Sequence, residues 1–249
     1  VSGQLALASL KPTDALDLRS WKGMKMGSVV VSGDVKLGVD GLSAEIRVDA
    51  LDLNLASNPA VVAPAVVARL DWTRAFDLDG DWLFEDVVDP GAALPTPVDL
   101  AIDYGASLQV RVRGALTGTT HDVVWDVNLD GDTLDAGDEL DNVLLSVGDV
   151  RLTGSAEFAL VIQSVRADVD GAGAAPLVDA DLLTFALTVN EIGVYVKDVA
   201  SLKVSGQLAL ASVKPTDALD LRSWTGLKMG RVGGSGEVKR GVDGLSAEI

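Results

Sequence analysis

Apolar and polar residues alternate along most of this 249-residue chain with a period of two. That is the period at which a β-strand sends successive side chains to opposite faces of a sheet. A short apolar run, Leu5–Leu7, ends at a Lys-Pro-Thr-Asp turn that leads to Leu16, Leu18 and Trp21. Val29, Val31, Val35, Leu37 and Val39 then share one face, with Ser28, Ser32, Asp34 and Lys36 on the other. Asp40-Gly41 interrupts, and Leu42, Ala44, Ile46 and Val48 resume opposite Ser43, Glu45, Arg47 and Asp49. At Ala50 the pattern slips by one residue and continues as Leu51, Leu53 and Leu55. Pro59 and Pro64 argue against a helix over residues 58–67, which reads as a loop or edge strand.

Further on, Val98, Leu100, Ile102 and Tyr104, then Leu108, Val110, Val112 and Leu116, predict a hairpin turning near Gly105. Val123, Trp125 and Val127 lead into an acidic loop. Val143 to Ile162 reads as two strands broken at Gly148-Asp149; Leu183, Phe185, Leu187 and Val189 form another, followed by Ile192–Val196. An apolar-x-Gly motif recurs at irregular spacing at Gly33, Gly114, Gly154 and Gly206, suggesting subunits of roughly 40 residues built from hairpins. Glycine inside a strand often marks a bulge or a close backbone approach.

The chain also repeats itself. Val204 to Ile249 restates Val1 to Ile46 at an offset of 203 residues, differing only at Leu10/Val213, Lys22/Thr225, Met24/Leu227, Ser28/Arg231, Val30/Gly233, Val31/Gly234, Asp34/Glu237 and Leu37/Arg240. A fixed period marks an array. Residues 1–203 read as one full period and 204–249 as the start of the next, a window cut from a longer tandem array. The expected fold class is all-β, an antiparallel β-sheet repeat module, sandwich-like or of elongated stacked sheets. Gly234 and Arg240 replace inward apolar residues, so the strand that carries them is expected near an edge or on a less buried face.

Composition narrows the function. A net charge of −17 disfavours nucleic acid and anionic membrane surfaces and favours bound cations. There are no cysteines, which excludes disulfides and thiolate metal sites. No apolar run reaches the length of a membrane helix, and no membrane insertion is expected. Catalysis finds little footing: His121 is the single histidine, and no nucleophile elbow or phosphate loop is present, so no enzyme is expected. Trp21, Trp72, Trp82, Trp125 and Trp224 read as core or turn anchors rather than a sugar platform.

The candidate chemistry is acidic. Asp126, Asn128, Asp130 and Gly131 match the first half of an EF-hand loop, with alternate oxygen ligands and a glycine for the bend; the second half departs, with Gly137 where the bidentate Glu belongs and Asp138 and Glu139 following it. Asp77, Asp79 and Asp81, continuing to Glu85, Asp86 and Asp89, form a second candidate. Asp168 and Asp170 form a third, with Asp179 and Asp181 downstream, where a plain Asp-Gly turn is the alternative.

The stretch Asp126–Glu139 resembles the calcium loops in β-rich repeats of bacterial surface adhesins, with one residue inserted before Asp135. By that resemblance Asp126, Asn128, Asp130, Asp135 and Glu139 are calcium ligands, and Asp132 offers its carbonyl or side chain. With the near-identical copies, the chain is similar to giant tandem-repeat bacterial surface proteins. The resemblance implies an extracellular or cell-surface structural module of a fibre or adhesin stalk, stiffened by calcium. Its partners would be identical repeats or copies of itself, joined by strand pairing, with any polysaccharide or cell-surface ligand left unnamed. The alternative from the residues is an amphipathic β-groove that binds or transfers lipid: a groove leaves a continuous apolar face open, whereas a structural module closes it against a second sheet.

Overall fold

The structure is a computed structural model that describes residues 2–34, 43–61, 67–119, 123–127, 130–133, 138–169, 177–197 and 199–238. In chain order its strands are β1 (Ser2–Leu10), β2 (Ser20–Asp34), β3 (Ser43–Ser57), β4 (Leu108–Gly118), β5 (Val123–Val124), β6 (Glu139–Leu140), β7 (Val143–Val147), β8 (Val150–Ala167), β9 (Val178–Val196), β10 (Ala200–Pro215) and β11 (Trp224–Val238). All pair antiparallel. Nine form one open sheet in the order β1-β2-β3-β4-β8-β9-β10-β11, with β7 added against β8; β5 and β6 make a separate ribbon. The all-β antiparallel class read from the alternation is the class observed, as a single unclosed sheet.

Bulges reconcile the sequence pattern with the sheet. Ser28 adopts φ 52°, opposite Asp49, and the β3–β4 register shifts between Val48 and Ala50. This is the slip read at Ala50. One extra residue lets Ile46 and Val48 lie on the same face as Leu51 and Leu53. Comparable shifts fall between Ser155 and Ala156 on β8 and between Val204 and Gly206 on β10. Gly114, Gly154 and Gly206 stand beside these shifts, the role expected of a strand glycine. At Gly114 a Cβ would strike the Arg47 carbonyl at 2.1 Å, so only glycine fits. The break at Gly148-Asp149 is the β7–β8 turn, with Gly148 at φ 52°.

One expected hairpin is absent. Residues 98–104 do not pair with β4; their only ladder contact among the described residues is the isolated bridge Val88↔Ile102. Alternation there reports burial without a strand: Leu100, Ile102 and Tyr104 all turn inward against the sheet. Ile102 and Tyr104 form a plug with Trp72, joined by Leu108 and flanked by Ala8, Trp21, Leu70, Phe76 and Val161, while Leu100 is buried beside Gly91. Gly23 provides the seat, since a Cβ there would meet Ile102 and Trp72 at 2.9 Å.

The plug is fastened by polar groups that need partners once buried. Asn54 donates to the Leu70 carbonyl at 2.9 Å and accepts from Trp72 Nε1 at 3.1 Å. The Tyr104 hydroxyl donates to the Leu53 carbonyl at 2.7 Å, and burial pushes its pKa up, so it stays a donor. Lys25 Nζ reaches the Ala101 carbonyl at 2.6 Å, and Asp52, fully buried, accepts from Arg111 Nε at 2.6 Å. Trp72, only 1% exposed, is the centre of this cluster. Trp72→Ala is expected to cost about 3–5 kcal/mol in chemical denaturation, the range for deleting a large buried aromatic.

Candidate functional site

Residues paired across an antiparallel ladder point to the same face, so the registers sort every long strand into two faces. One face carries the plug and, toward the opposite strand ends, a second small core of Trp125, Val127, Leu140, Val143 and Tyr195. It is otherwise polar or small, with Arg113, Ala159, Glu157, Ala186, Thr188, Ala209 and Lys228.

The other face is aliphatic from edge to edge. Leu7 lies beside Met24, Met24 beside Leu53, and Leu53 beside Val110. Val110 pairs with Ile162, and Val112 with Leu160. Leu160 pairs with Phe185, Phe185 with Leu210, and Leu210 with Leu227. Beyond the bulges the same face continues through Leu152, Val194 and Leu202. Charge enters this face only at one end of the strands, with Lys22 beside Leu55 on β2–β3 and Arg166, Asp179, Asp181 and Lys214 on β8–β10; Gly, Ala, Ser and Thr fill its other gaps.

No described segment covers this second face. Leu5, Leu7, Ile46, Leu55, Ile192, Val194, Leu202, Val204, Leu227 and Met229 all lie on it, and all are exposed. The accessible surface of the chain is 15951 Å². A compact monomer of 25.8 kDa exposes roughly 10,500 Å².

The acidic loops have a different geometry. Asp77, Asp79 and Asp86 bring one carboxylate oxygen each within 4.8 Å of one another, a spacing suited to a hard cation with oxygen ligands. The same carboxylates organise the loop. Asp77 Oδ1 accepts from Gly80 N at 2.8 Å and Asp81 N at 3.1 Å, and Asp86 Oδ2 from Leu78 N and Asp79 N. Asp81 instead accepts from Leu83 N at 2.8 Å, and Asp89 caps the short 3-10 turn at Pro90–Ala93 through Gly91 N at 2.9 Å. These last two stand outside the cluster.

In the β5–β6 ribbon Asp138 is 1% exposed. Its Oδ1 accepts from Val127 N at 3.0 Å, its carbonyl from Trp125 N at 2.7 Å, and its Oδ2 has no hydrogen-bond partner among the described residues. Asp126 Oδ2 accepts from Gly131 N at 3.1 Å and Asp130 Oδ1 from Asp132 N at 3.0 Å. Glu139 lies in β6 opposite Val124 and points to solvent. Asn128, Asp135, Asp170 and His121 lie outside the described residues; Asp168 follows the end of β8. Of the tryptophans, Trp72 and Trp125 are buried anchors, whereas Trp82 is 85% exposed.

Comparison with protein-family models, with curated proteins and with solved structures finds no match for this chain. No helix among the described residues is long and apolar enough to cross a membrane.

An open face tolerates charge. Leu187→Lys, at the middle of the aliphatic face, is expected to cost about 1 kcal/mol in urea denaturation, because the lysine stem lies along its neighbours and its ammonium stays in water. Inside a closed sandwich the same change would cost about 4–5 kcal/mol or more.

Proposed function

We propose that this chain is part of an amphipathic β-sheet that holds lipid acyl chains against its aliphatic face. The observation that supports it is the exposed stripe of Leu, Val, Ile, Met and Phe crossing eight strands, with charge only at one strand end, at Lys22, Arg166, Asp179, Asp181 and Lys214. An apolar area of this extent on a soluble chain marks a binding surface. Its texture suits acyl chains. Flexible aliphatic side chains predominate, with Phe158 and Phe185 as its aromatic residues, so it offers dispersion contact without directional demands. Along β9 the stripe runs from Leu183 to Val196. At about 3.3 Å per residue that is roughly 43 Å, longer than the ~30 Å hydrocarbon thickness of a bilayer. Apart from Asp179 and Asp181 at one strand end, the acidic charge belongs to loops and to the opposite face, which keeps that side hydrated and selects against anionic headgroups.

The chain incubated with phosphatidylcholine vesicles and re-isolated is expected to carry lipid, detected by mass spectrometry of the extract. Leu160→Lys/Leu187→Lys should lose most of it while keeping the wild-type circular dichroism spectrum. A chain that stays lipid-free, or that forms a dimer split by those same lysines, overturns acyl-chain binding in favour of sheet-on-sheet pairing.

The geometry at Asp77, Asp79 and Asp86 favours a second, compatible reading: the loops take calcium and stiffen an extracellular structural module. Close carboxylates repel until a divalent cation neutralises them. Calcium is expected to raise the melting temperature by a few degrees relative to chelator, and Asp86→Asn to remove most of that gain. An equal melting temperature with and without calcium would end this reading and leave the apolar face untouched.

A further inference from the structure

The two copies of the repeated phrase fold into the same hairpin. Gln4↔Gly27 through Leu10↔Trp21 in β1–β2 recur as Gln207↔Gly230 through Val213↔Trp224 in β10–β11. The register shift recurs at Ser2/Gln4 and Ser205/Gln207, and the left-handed bulge residue at Ser28 and Arg231, both at φ 52°. The preceding turns match as well: Arg19 bonds Asp17 at 2.5 Å and Arg222 bonds Asp220 at 2.6 Å, holding the pKa of Asp220 down to about 2.

The neighbours differ in an informative way. The outer edge of β2 is paired along its length by β3, whereas the same edge of β11 has no partner among the described residues. The outer edge of β10 is paired by β9, whereas the same edge of β1 has no partner among the described residues. Each open edge of this sheet is therefore seen occupied in the other copy. The sequence supplies the start of the missing strand, since Ser246–Ile249 restates Ser43–Ile46, the first residues of β3. β11 contains no proline, so its backbone can donate along the whole edge.

We propose that the open edge of β11 is the docking site for the β3-equivalent strand of a following copy, and the edge of β1 for the β9-equivalent of a preceding one, so that successive repeats build one continuous sheet. The partner is a strand of this same repeat in the β2–β3 register. Each period adds six strands, the equivalents of β1, β2, β3, β4, β8 and β9. At about 4.8 Å per strand each copy advances the sheet by roughly 29 Å. The aliphatic face then becomes a single track running through all copies. The edge pairing stands on the internal repeat and does not depend on what occupies that face.

The test appends residues 47–203 after Ile249, completing the second copy. The Ser20 and Ser57 hydroxyls lie 2.8 Å apart across β2–β3 at an exposed strand end, and the chain has no cysteine. Ser223→Cys paired with cysteine at the appended copy of Ser57 is expected to form an intramolecular disulfide as readily as Ser20→Cys/Ser57→Cys does within the first copy. Ser223→Cys with cysteine at the appended copy of Leu55 should form it at least tenfold more slowly. If the first-copy pair closes while the junction pair does not, or if the junction shows no register preference, the continuous sheet is overturned.

Discussion

A strand can give only every second side chain to each face, and a one-residue slip exchanges the faces. The whole structure depends on obeying that rule over strands of 15 to 19 residues. Long twisted strands drift out of step with their neighbours, and here bulges at Ser28 in the β1–β2 ladder, Asp49 in β3–β4 and Asn190 in β8–β9 absorb the drift. Each bulge re-aims the side chains beyond it, so that Ile46 and Leu53, which are an odd number of residues apart, still share a face. Without them half of each long strand would place its aliphatic residues among Arg, Asp and Glu.

The two faces are stabilised by different means. One is covered by the excursion between β3 and β4 and by the β5–β6 ribbon, and is fixed by directed polar contacts: Asn54 to Trp72 and Leu70, Tyr104 to the Leu53 carbonyl, Asp52 to Arg111. Removing one partner of such a contact leaves a buried group unsatisfied, which makes this face specific and intolerant. The other has only neighbouring aliphatic chains in its own plane. Its Leu, Val and Met side chains shield one another partly, and water or a ligand supplies the remaining contact. Under the proposed function, rigidity on one side and permissiveness on the other would let the sheet keep its register while accommodating acyl chains.

Much of this was legible in the sequence. Alternation located the long strands and the slip at Ala50; Gly148-Asp149 marked a true turn; and Gly234, replacing the Val31 of the first copy, lies on edge strand β11, where losing a side chain costs least. Arg240 falls outside the described residues. The pattern failed at Val98–Tyr104 because a plug with every second residue buried reads like a strand, and sequence period does not reveal whether a ladder partner exists. Nor could alternation show that no described segment covers the aliphatic face, since an open face and a closed one carry the same residues. The acidic motifs separated only in three dimensions. Asp77, Asp79 and Asp86 converge, whereas Asp81 and Asp89 are committed to turn and cap hydrogen bonds at Leu83 and Gly91.

The most direct test of the central claim reads which face touches lipid. Phosphatidylcholine carrying a nitroxide on its acyl chain would be bound to protein labelled with carbon-13 in its methyl groups, and methyl broadening followed by NMR. Acyl chains on the aliphatic face should broaden Leu160, Leu187, Leu208 and Met229 strongly and leave Ala159, Ala186 and Ala209, on the opposite face of the same strands, nearly unchanged. Equal broadening of both sets, or none, would contradict a lipid-bearing aliphatic face.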